Sequence, residues 1–160
     1  MLVKLYDMED EDLFVPRKND KGLVIKPAYR GEKKLILDFV KKNFEADVWP
    51  DECDKAINSD PVACFIAVKK KKLVGFSCYD SAARGFFGPM GVKKEYRGIG
   101  IGALLLKRAL FAMKENGYAY AIIGWVATDA IKFYEKSVNA SIIDDSPCEK
   151  SVYRNMIGSE

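Results

Sequence analysis

Apolar residues recur along 101–113 at the three- and four-residue spacing of a helix. Ile101, Leu105, Ala109 and Ala112 form one stripe, and Leu106, Leu110 and Met113 widen it. Lys107, Arg108, Lys114 and Glu115 fall on the opposite side, and Gly117 stands where a left-handed glycine ends such a helix. The same spacing predicts a helix over 31–44, through Leu35, Ile36, Phe39, Val40 and Phe44. Shorter helices are predicted over 48–58, with Pro50 in the first turn, and over 128–138, with Thr128 or Asp129 as the N-cap. Between them lie strand-like runs: "GLVIKPAY", "ACFIAV", "KLVGFSCYD", "GFFGPMGV", "YAYAIIGW", "ASIID" and "SVYRNMI". "YAYAIIGW" is almost continuously apolar, which predicts a strand buried on both faces. Lys69 to Lys72 separate two apolar runs and read as a solvated hairpin turn rather than a nucleic-acid patch. The order of elements predicts an α/β domain around one mixed, mostly antiparallel sheet.

Length and composition narrow the class. A chain of 160 residues suits one domain, 1–160, in which 1–21 reads as an N-terminal extension. The composition, 49% hydrophobic and 31% charged with net charge +3, is that of an ordinary globular domain and suggests no nucleic-acid partner. The longest apolar runs fall short of the ~20 residues of a membrane span, and the N-terminus has no secretory pattern. Four scattered cysteines with no CxxC spacing suggest neither a zinc site nor a disulfide framework, so a cytoplasmic setting is expected. The chain has no histidine, which removes Ser-His and Cys-His nucleophilic chemistry and the commonest general base.

The candidate chemistry begins at "EYRGIGIGALLLKRAL", residues 95–110, where three glycines open a strong helix. Glycine disfavours a helix by roughly 1 kcal/mol relative to alanine, so three together need a reason. The first amides of a helix lack internal acceptors, and the dipole there is positive. Glycine at Gly98, Gly100 and Gly102 lets the amides of Ile99, Ile101 and Ala103 close around a phosphate, with Arg97 at the mouth. The plainer alternative is tight packing with no ligand, which explains one glycine better than three. "GIGIGA" matches a dinucleotide fingerprint, but the next strand ends in no acidic residue, and no Gly-Lys-Ser/Thr occurs in the loop.

In the strand upstream, Pro89 cannot complete a regular ladder, and Gly88 and Gly91 ease a bulge or splay. A splayed strand leaves backbone groups that an amide-bearing arm can pair with, as an added strand would. A diphosphate followed by such an arm describes coenzyme A.

At "VKKEYRGIGIGA", residues 92–103, and "AIKFYEKSVNA", residues 130–140, the chain resembles the GNAT N-acetyltransferase superfamily. The resemblance implies a sheet with a central splayed strand pair and about four flanking helices. It implies acetyl-CoA as co-substrate, no metal, and a cradle from Arg97 through Gly98, Ile99, Gly100, Ile101 and Gly102 to Ala103. Met90, Gly91 and Val92 would line the pantetheine arm, and Tyr134 would lie near the thiol. Ala127 stands where the family often has asparagine, and Asn139 where it often has glycine. "FFGPMGV", "AIIGW" and "FYEKSVNA" are similar to members acting on amino sugars such as glucosamine.

Amine acetylation needs a neutral amine, a stabilised oxyanion and an acid for the leaving thiolate. A phenol with an ordinary pKa of about 10 can serve a thiolate near ~8.5, so Tyr134 suits that role, with aromatic packing as the alternative. A backbone N–H near Met90 or Val92 would meet the oxyanion. The base is open among Asp80, Glu52 and Asp54. "EADVWPDECDKA" gathers acids around Trp49, a wall suited to a cationic amine or a stacked sugar ring, so Trp49, Glu52 and Asp80 are the candidate acceptor residues. The expected partner is a small-molecule amine, with no membrane and a homodimer through "SVYRNMI" as an option. The rival readings are a CoA-binding module without turnover and a small nicotinamide-dependent protein.

Overall fold

In a computed structural model, residues 1–9 and 22–144 are described. They form a six-stranded sheet from β1 (Leu2–Lys4), β2 (Leu23–Pro27), β3 (Cys64–Lys69), β4 (Lys72–Tyr79), β5 (Phe86–Val92) and β6 (Tyr120–Ile123). The spatial order is β1-β6-β5-β4-β3-β2, and every neighbouring pair is antiparallel except β5 with β6. The helices are α1 (Lys33–Asn43), α2 (Trp49–Asn58), α3 (Ile101–Glu115) and α4 (Ile131–Val138). No helix among the described residues is long and apolar enough to cross a membrane.

β4 is the central strand, and its side chains separate two layers. Ser77 donates its hydroxyl to the Leu105 carbonyl of α3 at 3.0 Å, while Phe76 meets Phe44 and Trp49 on the α1–α2 side. Cys78, on that same side, touches Cys53 of α2 with its Sγ 3.8 Å away. The helices therefore cover opposite faces, and burial on both explains the apolar run at 74–79. The expected stripe of α3 is buried throughout, and its C-terminus closes as anticipated: Tyr118 N–H reaches the Met113 carbonyl and Gly117 N–H the Lys114 carbonyl. The lysine turn is also observed, with Lys70 and Lys71 left-handed at φ 49° and 64° between paired Lys69 and Lys72.

Several expectations change. β6 alternates exposed and buried positions instead of lying buried on both faces: Ala121 and Ile123 are buried, while Tyr120 is exposed. β1, within the stretch read as an extension, is the edge strand of the main sheet and pairs with β6. Leu35 is exposed, since α1 buries a narrow face through Ile36 and Val40. Neither Thr128 nor Asp129 caps α4; the chain enters through a 3-10 turn, where Ala130 N–H meets the Ala127 carbonyl at 2.9 Å. Of "ASIID", only Ser141 pairs, as a single bridge to Leu2. "SVYRNMI" lies outside the described residues.

Candidate active site

The site is built where β5 and β6 part. Among the described residues they pair only through Phe86 with Ile122 and Phe87 with Ile123, and the rest of β5 has no strand partner on that side. On the other side, Lys93 N–H donates to the Val74 carbonyl at 2.9 Å and Phe76 stands opposite Gly91. Antiparallel alternation then turns the N–H and C=O of Met90 and Val92 into the open side. The β4–β5 register slips between Ser77 and Tyr79, beside Pro89 and Gly88. Ser81 holds that irregular stretch by donating its hydroxyl to the Gly88 carbonyl at 2.5 Å, and Lys55 of α2 donates to the Ser81 carbonyl at 2.7 Å.

Past β5, the chain makes a 3-10 turn and then the glycine loop. Gly98 and Gly100 are left-handed, at φ 77° and 93°. The first helical bond of α3 runs from Leu104 N–H to the Gly100 carbonyl at 3.2 Å, leaving the amides ahead of it without an intrahelical acceptor. A cavity of about 640 Å³ opens beside them, lined by Met90, Gly91, Val92, Arg97, Gly98, Gly100, Gly102 and Ala103 and reached by Lys136 of α4. Arg97 has its Nε 2.9 Å from the Val92 carbonyl, so its position is tied to the free edge of β5. Among the described residues, no carboxylate lines this cavity. Amides, a guanidinium and an ammonium around one space fit a polyanion, and the open edge of β5 fits an extended amide chain. Ile99 and Ile101 do not line it: Ile99 is turned to solvent and Ile101 is buried in the core, which leaves them only backbone groups to contribute.

A second cavity of about 450 Å³ adjoins the first, and Trp49 and Met90 line both. Glu52, Pro89, Trp125 and Tyr134 complete its functional lining. Pro50 starts α2 so that Trp49 and Glu52 come within its first turn. Trp49 is braced by Phe44 and Phe76, with ring centroids 5.5 and 5.9 Å away. Burial raises the Glu52 carboxyl above the ordinary carboxylate range, partly countered by Lys55. Burial likewise raises the Tyr134 phenol, whose ring meets Phe133 and Phe87 edge-on at 5.1 and 6.4 Å.

The other carboxylates are elsewhere. Asp80 accepts from Gly85 N–H at 2.6 Å and from the Tyr118 hydroxyl at 2.7 Å, and it lines a separate polar cavity with Tyr79 and Asn116. Asp54 pairs with Lys33 at 2.9 Å on the surface. The sequence assigns no site role to Trp125, Lys136 or Ser81, and gives Phe44 only a place in the apolar stripe of a helix. Lys136 lies within the quoted "FYEKS" segment, but nothing in its spacing distinguishes a cavity lysine from a surface one. Among the described residues, no group of three His, Cys, Asp or Glu side chains could hold a metal ion.

Residues 33–139, more than half of the chain, match the model described as the acetyltransferase (GNAT) family. The N-alpha-acetyltransferase MAK3 of Arabidopsis thaliana is 30% identical over 118 residues, covering 69% of this chain and 60% of that protein. The chain thus spans about 60% of that relative's length. Among solved structures, the glucosamine N-acetyltransferase region of a fungal multi-domain GH3 beta-N-acetylglucosaminidase shares the fold. Its TM-score is 0.64 at 16% identity, over 86% of this chain and 19% of that one. Naa50 of Arabidopsis thaliana, in complex with the bisubstrate analogue CoA-Ac-MVNAL, gives a TM-score of 0.52 at 22% identity over 72% and 81% of the two chains.

Proposed function

The chain belongs to the acetyltransferase (GNAT) family, and from that premise we propose that it moves an acetyl group from acetyl-CoA to the primary amine of a small acceptor. The observation that carries this reading is the meeting of two cavities at Trp49 and Met90. One is lined, among the described residues, by amides and cations with no carboxylate, and the other holds one partly buried acid and one partly buried phenol.

Acetyl-CoA supplies the activated acetyl thioester. The amides at the head of α3, with Arg97 and Lys136, hold the diphosphate, and the free edge of β5 at Met90 and Val92 takes the amide-bearing arm as an added strand. The Met90 N–H, turned away from β4, polarises the acyl carbonyl oxygen. Glu52 accepts the proton of the acceptor amine. Its raised pKa makes it a stronger base than an exposed carboxylate, and neither Asp54 nor Asp80 lines this cavity. Tyr134 donates its proton to the departing sulfur, and its raised pKa keeps that proton in place through neutral pH.

Similar proteins carry the names N-alpha-acetyltransferase and glucosamine N-acetyltransferase, so peptides and amino sugars both enter the test. Purified protein is assayed for thiol release from acetyl-CoA with glucosamine, polyamines, aminoglycosides and short peptides, while calorimetry follows CoA binding. Amine-dependent release with a matching acetylated product is expected. CoA binding with no release from any amine would make the chain a CoA-binding module instead.

A further inference from the structure

Beside the cleft, two residues of β5 stand opposite one residue of β4. Ser77 faces Met90 and Tyr79 faces Phe87, so Gly88 and Pro89 together oppose Cys78. Such a bulge interrupts the ladder that would otherwise fix each peptide, and Pro89 has no N–H to restore it. The Gly88 carbonyl finds its donor outside the strand, in the Ser81 hydroxyl at 2.5 Å. Ser81 lies two residues past the end of β4 and is 5% exposed. Its own carbonyl accepts from the Lys55 ammonium at 2.7 Å, about one turn along α2 from Glu52. Closing the loop does not require this hydroxyl. Asp80 N–H already meets the Phe86 carbonyl at 2.8 Å, and the Asp80 carboxylate takes the Gly85 N–H at 2.6 Å. The Ser81 bond instead reaches past the loop to the bulge, where Gly88, Pro89 and Met90 all line the acceptor-side cavity.

We propose that Ser81, seated by Lys55, is a positioning residue that aims the Met90 N–H at the acyl oxygen of acetyl-CoA. The held Gly88 carbonyl belongs to the peptide entering Pro89, and the Met90 N–H belongs to the peptide leaving it. Peptide units are planar, and the proline ring holds φ at about −65°. A single soft torsion, ψ of Pro89, therefore separates the plane that Ser81 holds from the plane that donates. Fixing the first plane sets the aim of the second to within that torsion. This role rests on the reading of Met90 N–H as the donor in acetyl transfer, and its primary test needs no turnover.

Infrared difference spectra of acetyl-CoA labelled at its carbonyl carbon, bound to the full chain, read the hydrogen bond at the acyl oxygen. A misaimed Met90 N–H weakens that bond, so in Ser81→Ala the carbonyl band should move to higher frequency and broaden. In the transferase assay the same variant should lose about 10- to 100-fold in kcat, with the KM for acetyl-CoA unchanged. Ser81→Thr, which keeps the hydroxyl, should restore the band and most of the rate. A hydroxyl that served only the fold would lower Tm and leave the band in place. Lys55→Met should shift the band in the same direction by less; it is read by the band alone, because Lys55 also faces Glu52. Should Ser81→Ala fail to bind acetyl-CoA, that Lys55→Met band decides, a shift upholding the role and an unmoved band overturning it. An unmoved band in Ser81→Ala, or a rate loss that Ser81→Thr does not recover, likewise overturns the proposal. A Ser81-dependent band without thiol release by wild type refutes the transferase reading alone. Turnover with band and kcat both indifferent to Ser81 refutes the positioning role alone.

Discussion

Glu52 and Tyr134 sit in one cavity and are shifted in the same direction by the same cause, yet burial equips them for opposite tasks. Desolvation raises both, which strengthens the carboxylate as a base and keeps the phenol protonated as an acid. Activity should rise with pH as Glu52 ionises, above the ordinary carboxylate range. It should then hold through neutral pH and fall only beyond the usual phenol value of about 10. Glu52→Gln should lower kcat roughly 10²- to 10⁴-fold and remove the acid limb, read as the difference from wild type so that the acceptor's own titration cancels. Tyr134→Phe preserves the ring contacts with Phe133 and Phe87, so it should lower kcat by a similar factor and leave the KM for acetyl-CoA nearly unchanged. Loss of acetyl-CoA affinity in Tyr134→Phe would show that the hydroxyl positions the co-substrate and is not the acid.

At the scale of the element, the three glycines that open α3 are not equivalent. Gly98 and Gly100 have open space where a Cβ would go, but their φ values of 77° and 93° strain any side chain. Gly102 has ordinary helical backbone, and a Cβ there would meet Phe133 at 3.6 Å, an ordinary contact. Gly100→Ala should therefore cost about 1–2 kcal/mol and weaken CoA binding by distorting the loop. Gly102→Ala should keep or raise Tm, because alanine favours a helix by roughly 1 kcal/mol, while still weakening CoA binding by filling space beside the cradle. Thermal melts paired with CoA calorimetry on the two variants separate conformation from room. In β5, a Cβ on Gly91 would lie 2.5 Å from the Phe44 ring, which shows why glycine stands under the brace that fixes Trp49.

Across the whole molecule, polar ties join the elements that frame the cleft. Asp80 links the β4–β5 loop to Tyr118 at the start of β6's approach; burial, followed by the hydrogen bond to the Asp80 carboxylate, pushes the Tyr118 phenol up to about 12. This is a structural tie at a distance from the cleft's lining. Asp80→Asn should lower stability by about 1.5–3 kcal/mol, as loss of hydrogen bonds to a charged group does, while kcat and the acceptor KM stay near wild type. A large rise in acceptor KM at unchanged Tm would restore Asp80 to the acceptor site. The Lys55–Ser81–Gly88 chain has the contrary character: it couples α2, which carries Glu52, to the bulged strand that carries Met90.

The sequence by itself determined what local physics controls. Periodicity gave α3 its buried stripe, Gly117 its place at the C-terminus, and Gly98 and Gly100 the left-handed loop that only glycine enters cheaply. The lysine turn and the weakness of β5 around Pro89 were also legible, because turns and ladder breaks depend on neighbours in the chain. The tertiary structure alone decided which carboxylate faces the cleft, since Glu52, Asp54 and Asp80 look alike until α2 is docked and β4 is placed at the centre of the sheet. It also decided that "AIIGW" leaves the strand after Ile123 and ends in an exposed ring, because which faces of a strand are buried is set by what packs over the sheet. Local conformation follows from a residue and its near neighbours. Burial, and with it basicity and access to a substrate, follows only from what the rest of the chain packs around it.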